Sequence, residues 1–214
     1  MKFDLNELED YCSLHSSPET KRLHDIVRRT HLRTLSPQML SGHLQGRLLS
    51  FLSKLICPKY ILEVGTFTGY ATICLLEGLA NDGKLFTIEG NFELIPGLET
   101  TFKELGEGGD RIVLMEGQAL KIIPTLEDKF DMVFIDAAKN EYKDYFQLIL
   151  DKMNVGGVII VDNVLWFGKV IGEQRDNKGI LLNEFNKIVL SEPRVENLIL
   201  PIRDGLQLIR KISN

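Results

Sequence analysis

The chain has 214 residues, of which 44% are hydrophobic and 26% charged. That composition permits one globular domain with a full core and excludes disordered, collagen-like and coiled-coil classes. No apolar run reaches the roughly 18 residues of a membrane helix, the start from Met1 to Glu7 lacks the apolar core of a secretory signal, and a net charge of −5 argues against general nucleic-acid binding.

The N-terminal quarter reads as helical. Asn6 is placed to cap a short helix running to about His15. Ser17-Pro18-Glu19 predicts the start of a second, with Ser17 as cap and Pro18 in the first turn. Its Leu23, Ile26, Val27 and Thr30 form one apolar stripe, opposite Lys21, Arg22, Arg28 and Arg29. That basic face fits either nucleic acid or, more simply, solvent. A third helix is expected over residues 41–55.

The pattern then changes. Apolar runs at 60–64, 84–88, 111–115, 132–135 and 158–161 alternate with helical segments, which predicts parallel strands with helices on both faces. The runs at 195–200 and 205–210 are joined only by Pro201-Ile202-Arg203-Asp204, too short for a crossover, so they predict an antiparallel hairpin. Cys12, Cys57 and Cys74 show no metal-binding spacing and are expected to be reduced thiols of a cytoplasmic protein. His15, His24, His31 and His43 lack a partner motif and read as helix-surface residues.

The first strand runs into Glu63-Val64-Gly65-Thr66-Phe67-Thr68-Gly69, where a nucleotide-binding glycine turn belongs. Glu63 occupies the place of the first glycine. A carboxylate there repels a pyrophosphate and suits a cationic cofactor such as S-adenosylmethionine. Gly65 would allow close backbone approach, and Gly69 close helix packing. Glu89, 20 residues past Gly69, can accept from both ribose hydroxyls, or simply cap the next helix. Ala119, after the third strand, leaves room for an adenine or merely starts a helix.

Asp136 ends the fourth strand, and Asp162-Asn163 end the fifth, at the carboxyl edge where open α/β sheets bind ligands. Three hard oxygen donors suit Mg²⁺, Ca²⁺ or Mn²⁺. Each Asp alone reads more simply as a loop cap, but two neighbouring carboxylates repel unless a cation neutralises them. Lys139, three residues past Asp136, can serve as a general base beside such an ion or be an ordinary helix-start lysine. Trp166, the single tryptophan, fits an aromatic substrate's wall or a packing role.

Together these segments resemble the metal-dependent class I O-methyltransferases that include the catechol and caffeoyl-CoA enzymes. The resemblance rests on residues 63–70, Phe134-Ile135-Asp136-Ala137-Ala138-Lys139, residues 161–168, the turn 200–205 and Met39-Leu40-Ser41-Gly42, and covers roughly residues 37 to 212. It implies a Rossmann-like α/β fold with a mostly parallel seven-stranded sheet, an antiparallel C-terminal hairpin and helices on both faces. Residues 1–36 would be an N-terminal helical extension and 37–214 the methyltransferase domain. It implies metal ligation by Asp136, Asp162 and Asn163, a base at Lys139, and S-adenosylmethionine contacts from Ser41, Glu63, Gly65, Tyr70, Glu89, Ala119 and Asp136. Many caffeoyl-CoA-type members carry an Asp where Ala138 stands, and residues 169–178 match no member, so the acceptor is left open.

The expected reaction is methyl transfer to a hydroxyl of a small vicinal-diol aromatic, by a homodimer with Mg²⁺, Ca²⁺ or Mn²⁺. One alternative is a transfer-RNA hydroxyuridine methyltransferase using Arg28 and Arg29, against which the negative charge weighs. A nicotinamide dehydrogenase is disfavoured by Glu63, and a non-catalytic module by the intact set of Asp136, Lys139, Asp162 and Asn163.

Overall fold

A computed structural model describes residues 5–172 and 176–214. The side chains of residues 5 and 6, and so the expected Asn6 cap, lie outside it, as do residues 173–175 of the 169–178 loop. Helices α1 (Leu5–Leu14), α2 (Lys21–Arg33) and α3 (Gly42–Ile56) precede β1 (Tyr60–Val64). There follow α4 (Tyr70–Leu76), β2 (Lys84–Glu89), α5 (Ile95–Lys103), β3 (Ile112–Glu116), α6 (Ala119–Ile122) and β4 (Phe130–Ile135). The chain continues through α7 (Tyr142–Leu150), β5 (Met153–Val161), α8 (Asn177–Ser191), β6 (Val195–Leu200) and β7 (Leu206–Lys211).

The seven strands lie in the order β3-β2-β1-β4-β5-β7-β6. The first five are parallel, and β7 enters antiparallel between β5 and β6, with Ile160 opposite Leu208 and Leu198 opposite Leu208. The hairpin and the helices on both faces are as the sequence predicts. Two apolar cores cover the sheet, because strands buried on both faces present apolar side chains alternately to each. One core joins Leu62, Val133 and Val161 to Phe146 and Phe185 of α7 and α8. The other joins Ile61, Phe134 and Ile160 to Leu23 and Ile26 of α2, Leu49 of α3 and Tyr70 of α4. Among the described residues no helix is long and apolar enough to cross a membrane.

Two local expectations are corrected. Thr20, not Ser17, caps α2: its extended backbone (φ −70°, ψ 156°) lets its hydroxyl accept from the Leu23 N–H at 3.4 Å. The Ser17 carbonyl instead accepts from the His43 ring at 2.8 Å, and Glu19 accepts from the Tyr70 hydroxyl, so residues 17–19 are committed outside the helix. Strand β5 begins at Met153, five residues before its apolar run. Gly156 (φ +90°) and Gly157 hide that half from an apolar-run reading.

Candidate active site

The carboxyl ends of β1, β2, β3 and β4 open onto a cleft of about 880 Å³. Gly65 lies on its wall, and Gly69 packs against Leu98 and Phe102 behind the turn. Gly65 has φ +97° and its N–H donates to the Ile88 carbonyl at 3.0 Å, while Gly69, at φ +86°, caps α4. Glu89 is 8% exposed on the cleft wall. Its Oε2 accepts from the Phe67 N–H at 2.7 Å and its Oε1 from the Asn91 N–H at 2.8 Å. It therefore ties the glycine turn to the end of β2. The capping alternative is not what is seen: Asn91 caps the next helical turn, its side chain accepting from the Glu93 N–H at 3.0 Å. Ala119 starts α6 and lines the same wall.

Ser41 and Tyr70 line a small adjoining cavity that shares Met39, Gly65 and Asp136 with the cleft. Tyr70 is buried, and its hydroxyl is fixed by Glu19, a partner 51 residues away that no local pattern announces. Glu63 is placed differently from the other expected contacts. It is fully buried behind the turn and stands on neither cavity wall. Thr72 and Thr87 hydroxyls donate to its Oε2 at 2.6 and 2.5 Å, and Oε1 has no partner. Burial pushes this carboxyl up to about 8, against the pull of the two hydroxyls.

The acidic ends of β4 and β5 are brought together. The Asp136 N–H donates to the Val64 carbonyl at 2.9 Å and the Asp162 N–H to the Ile135 carbonyl at 3.0 Å, so both side chains emerge at one edge. Lys139 Nζ donates to Asp136 Oδ1 at 2.7 Å and lies 5.2 Å from the Tyr142 ring centroid. Asp162 is 2% exposed. Its Oδ1 accepts from the Asn163 N–H at 2.6 Å and its Oδ2 from Gln45 Nε2 at 2.7 Å. Burial first, then the charge of Asp136, pushes the Asp162 carboxyl up to about 6, opposed by the Gln45 bond. Asn163 is half-buried with a left-handed φ of +57°, which turns the chain out of β5.

The residues expected to hold a metal offer two carboxylates and an amide. Among the described residues no group of three or more His, Cys, Asp or Glu is placed to hold a metal. Two mutually repelling carboxylates, with hard oxygen atoms only, fit a hard divalent cation. Trp166 lies on the loop beyond, its indole N–H donating to Asp176 at 3.3 Å and Lys178 Nζ 5.1 Å over its ring. Arg29 of the basic helix face is paired with Glu104 at 3.0 Å, while Arg28 is exposed. Sequence reasoning misses Gln45, because its partner lies far along the chain: Asp162 is 117 residues away.

This strand order, with a glycine turn after β1 and a carboxylate closing β2, defines a Rossmann-like methyltransferase. The chain belongs to the O-methyltransferase family, whose model matches residues 13–212 and so takes in α2. It is 31% identical over 240 residues to O-methyltransferase hkm8 of Aspergillus hancockii, covering 97% of this chain and 95% of that one. With Caffeoyl-CoA O-methyltransferase 1 of Eucalyptus globulus it shares 34% over 184 residues, covering 79% of this chain and 73% of that one. Among solved structures, the SAH-bound methyltransferase PaMTH1 of Podospora anserina superposes with a TM-score of 0.91 at 30% identity, covering 100% of this chain and 98% of that one. TomG of Streptomyces achromogenes, an O-methyltransferase involved in tomaymycin synthesis and solved in complex with SAM, gives 0.88 at 28%, with 97% and 96% covered.

Proposed function

We propose that the protein is an S-adenosylmethionine- and divalent-metal-dependent O-methyltransferase acting on a small vicinal-diol aromatic of the catechol or caffeoyl kind. The observation that carries this is the double membership of Asp136. It lines the cofactor cleft beside Gly65, and it stands next to Asp162 with Lys139 bonded to it. The cleft wall carries Glu89, Glu93, Asp136 and Glu141 against Arg33. Such a wall suits a sulfonium and an ammonium and repels the pyrophosphate of a nicotinamide cofactor. Two neighbours of this fold, PaMTH1 and TomG, hold SAH and SAM.

S-Adenosylmethionine supplies an electrophilic methyl group on a sulfonium. Glu89 would accept from the ribose hydroxyls with the lone pairs its two backbone bonds leave free. Ala119 would leave room for the adenine, and Ser41, Gly65 and Tyr70 would enclose the methionine end. Glu63, buried behind them with its carboxyl raised to about 8, would brace the glycine turn through the Thr72 and Thr87 hydroxyls and not through a charge. A divalent ion on Asp136, Asp162 and Asn163 would supply Lewis acidity that favours the ionised form of an acceptor hydroxyl. Lys139 Nζ would take the hydroxyl proton, for which it must first leave Asp136 with its own proton given up. Trp166 would wall an aromatic ring.

The division into an extension over 1–36 and a catalytic domain over 37–214, a homodimer and a cytoplasmic location belong to the same reading. The test is a methyl-transfer screen with catechols, caffeoyl esters, flavonoids and hydroxyuridine-bearing RNA, each with Mg²⁺ and with chelator. Turnover of a vicinal diol that stops in chelator is the expected result. Chelator-resistant turnover, or methylation of the RNA alone, would overturn it.

A further inference from the structure

Gln45 of α3 is fully buried, and its amide has a partner at each end. Nε2 donates to Asp162 Oδ2 at 2.7 Å, and Oε1 accepts from the Arg203 guanidinium at 3.3 Å. The two partners fix the sense of the amide. A guanidinium only donates, so it must face the oxygen, and a carboxylate accepts, so it faces the NH₂ group. Arg203 is itself held in place. It sits in the β6–β7 turn with a left-handed φ of +50° and donates to the carbonyls of Leu40, at 2.9 Å, and Ser41. Asp162 is in turn gripped on both oxygens, by Gln45 and by the Asn163 N–H, which leaves one lone pair on each pointing elsewhere.

From this arrangement we infer that Gln45 is a positioning residue for the acidic pair: it orients the Asp162 carboxylate toward a divalent cation, and Arg203 orients Gln45. The inference rests on the cation site read above. Packing alone does not account for a glutamine here. A leucine would fill a similar volume, whereas the amide matches two groups of opposite hydrogen-bonding character, 117 and 158 residues further along the chain. Outer partners of this kind set ligand orientation and cation affinity in metal sites generally.

The test is Mn²⁺ binding to the full chain, read from the electron paramagnetic resonance of the free ion without acceptor or methyl donor. S-Adenosylmethionine binding without cation is measured alongside by calorimetry. Gln45→Leu should weaken Mn²⁺ binding about 10- to 100-fold and leave S-adenosylmethionine affinity unchanged. Arg203→Met, at an exposed side chain, should weaken Mn²⁺ binding in the same direction by a smaller factor. Wild-type protein that binds no Mn²⁺ removes the cation reading and this inference with it. Wild-type binding that neither variant changes overturns the inference and leaves the reading standing. A parallel loss of both ligands in Gln45→Leu marks a merely structural role and also overturns it. If Gln45→Leu does not fold, Gln45→Met, which also lacks the amide, is measured in its place by the same criterion.

Discussion

Gly65 and Asp136 meet backbone to backbone: a Cβ built on Gly65 would stand 2.0 Å from the Asp136 carbonyl oxygen. The glycine turn and the acidic strand end are therefore one packed unit, and no side chain fits between them. Gly65→Ala combines a positive φ with a backbone clash, each costing about 1–3 kcal/mol. The variant should unfold at lower urea, by about 2–6 kcal/mol in all, and lose methyl-donor binding. A midpoint equal to wild type would show that the turn can yield.

Asp136→Ala removes the carboxylate shared by the cleft and the acidic pair. Activity that depends on added Mg²⁺ should vanish, and chelator should make no further difference. Initial rates with and without chelator check this.

Lys139→Met keeps the length and removes the base. The maximal rate should fall about 10²- to 10⁴-fold, while calorimetric affinity for S-adenosylmethionine stays put. An equal loss in both would place Lys139 in binding and not in proton removal.

Glu63 gives the stability a pH dependence of known sign. Its carboxyl is raised from 4.5 to about 8 by burial, so the folded chain holds this proton after the unfolded chain has released it. Its contribution is complete below about 4.5 and is lost as pH rises to about 8. Over that window the loss is up to about 5 kcal/mol. Glu63→Gln should flatten the fall in urea midpoint across it. Parallel profiles for the two proteins would contradict the assignment.

The thiols should divide by access. Cys12 and Cys57 are exposed, while Cys74 is buried and its thiol is pushed up to about 12. A thiol reagent near neutral pH should label Cys12 and Cys57 quickly and Cys74 only after denaturation. Rapid labelling of all three would mean that the α4 packing opens readily.

What could be read in the sequence was what is local. The five parallel strands, the hairpin and the residues at strand ends follow from apolar runs and the glycine turn, because neighbouring strands deliver their ends to one edge whatever else the chain does. Thr20 displaced Ser17 as a cap because residues 17–19 are engaged by His43 and Tyr70, partners outside any local window. The start of β5 was hidden by Gly156 and Gly157. The placing of Glu63 behind the cleft depends on hydroxyls from α4 and β2, and Gln45 and Arg203 gain meaning only when the last turn folds against α3.

The position of β7 bears on biosynthesis. Because it slots between β5 and β6, a nascent chain that has emerged only as far as residue 200 leaves the edge of β5 without its antiparallel neighbour. Such an edge invites pairing with other chains. A ribosome stalled before β7 emerges should therefore display a chain that chaperones hold, and release of the final strand should be the moment at which that edge closes.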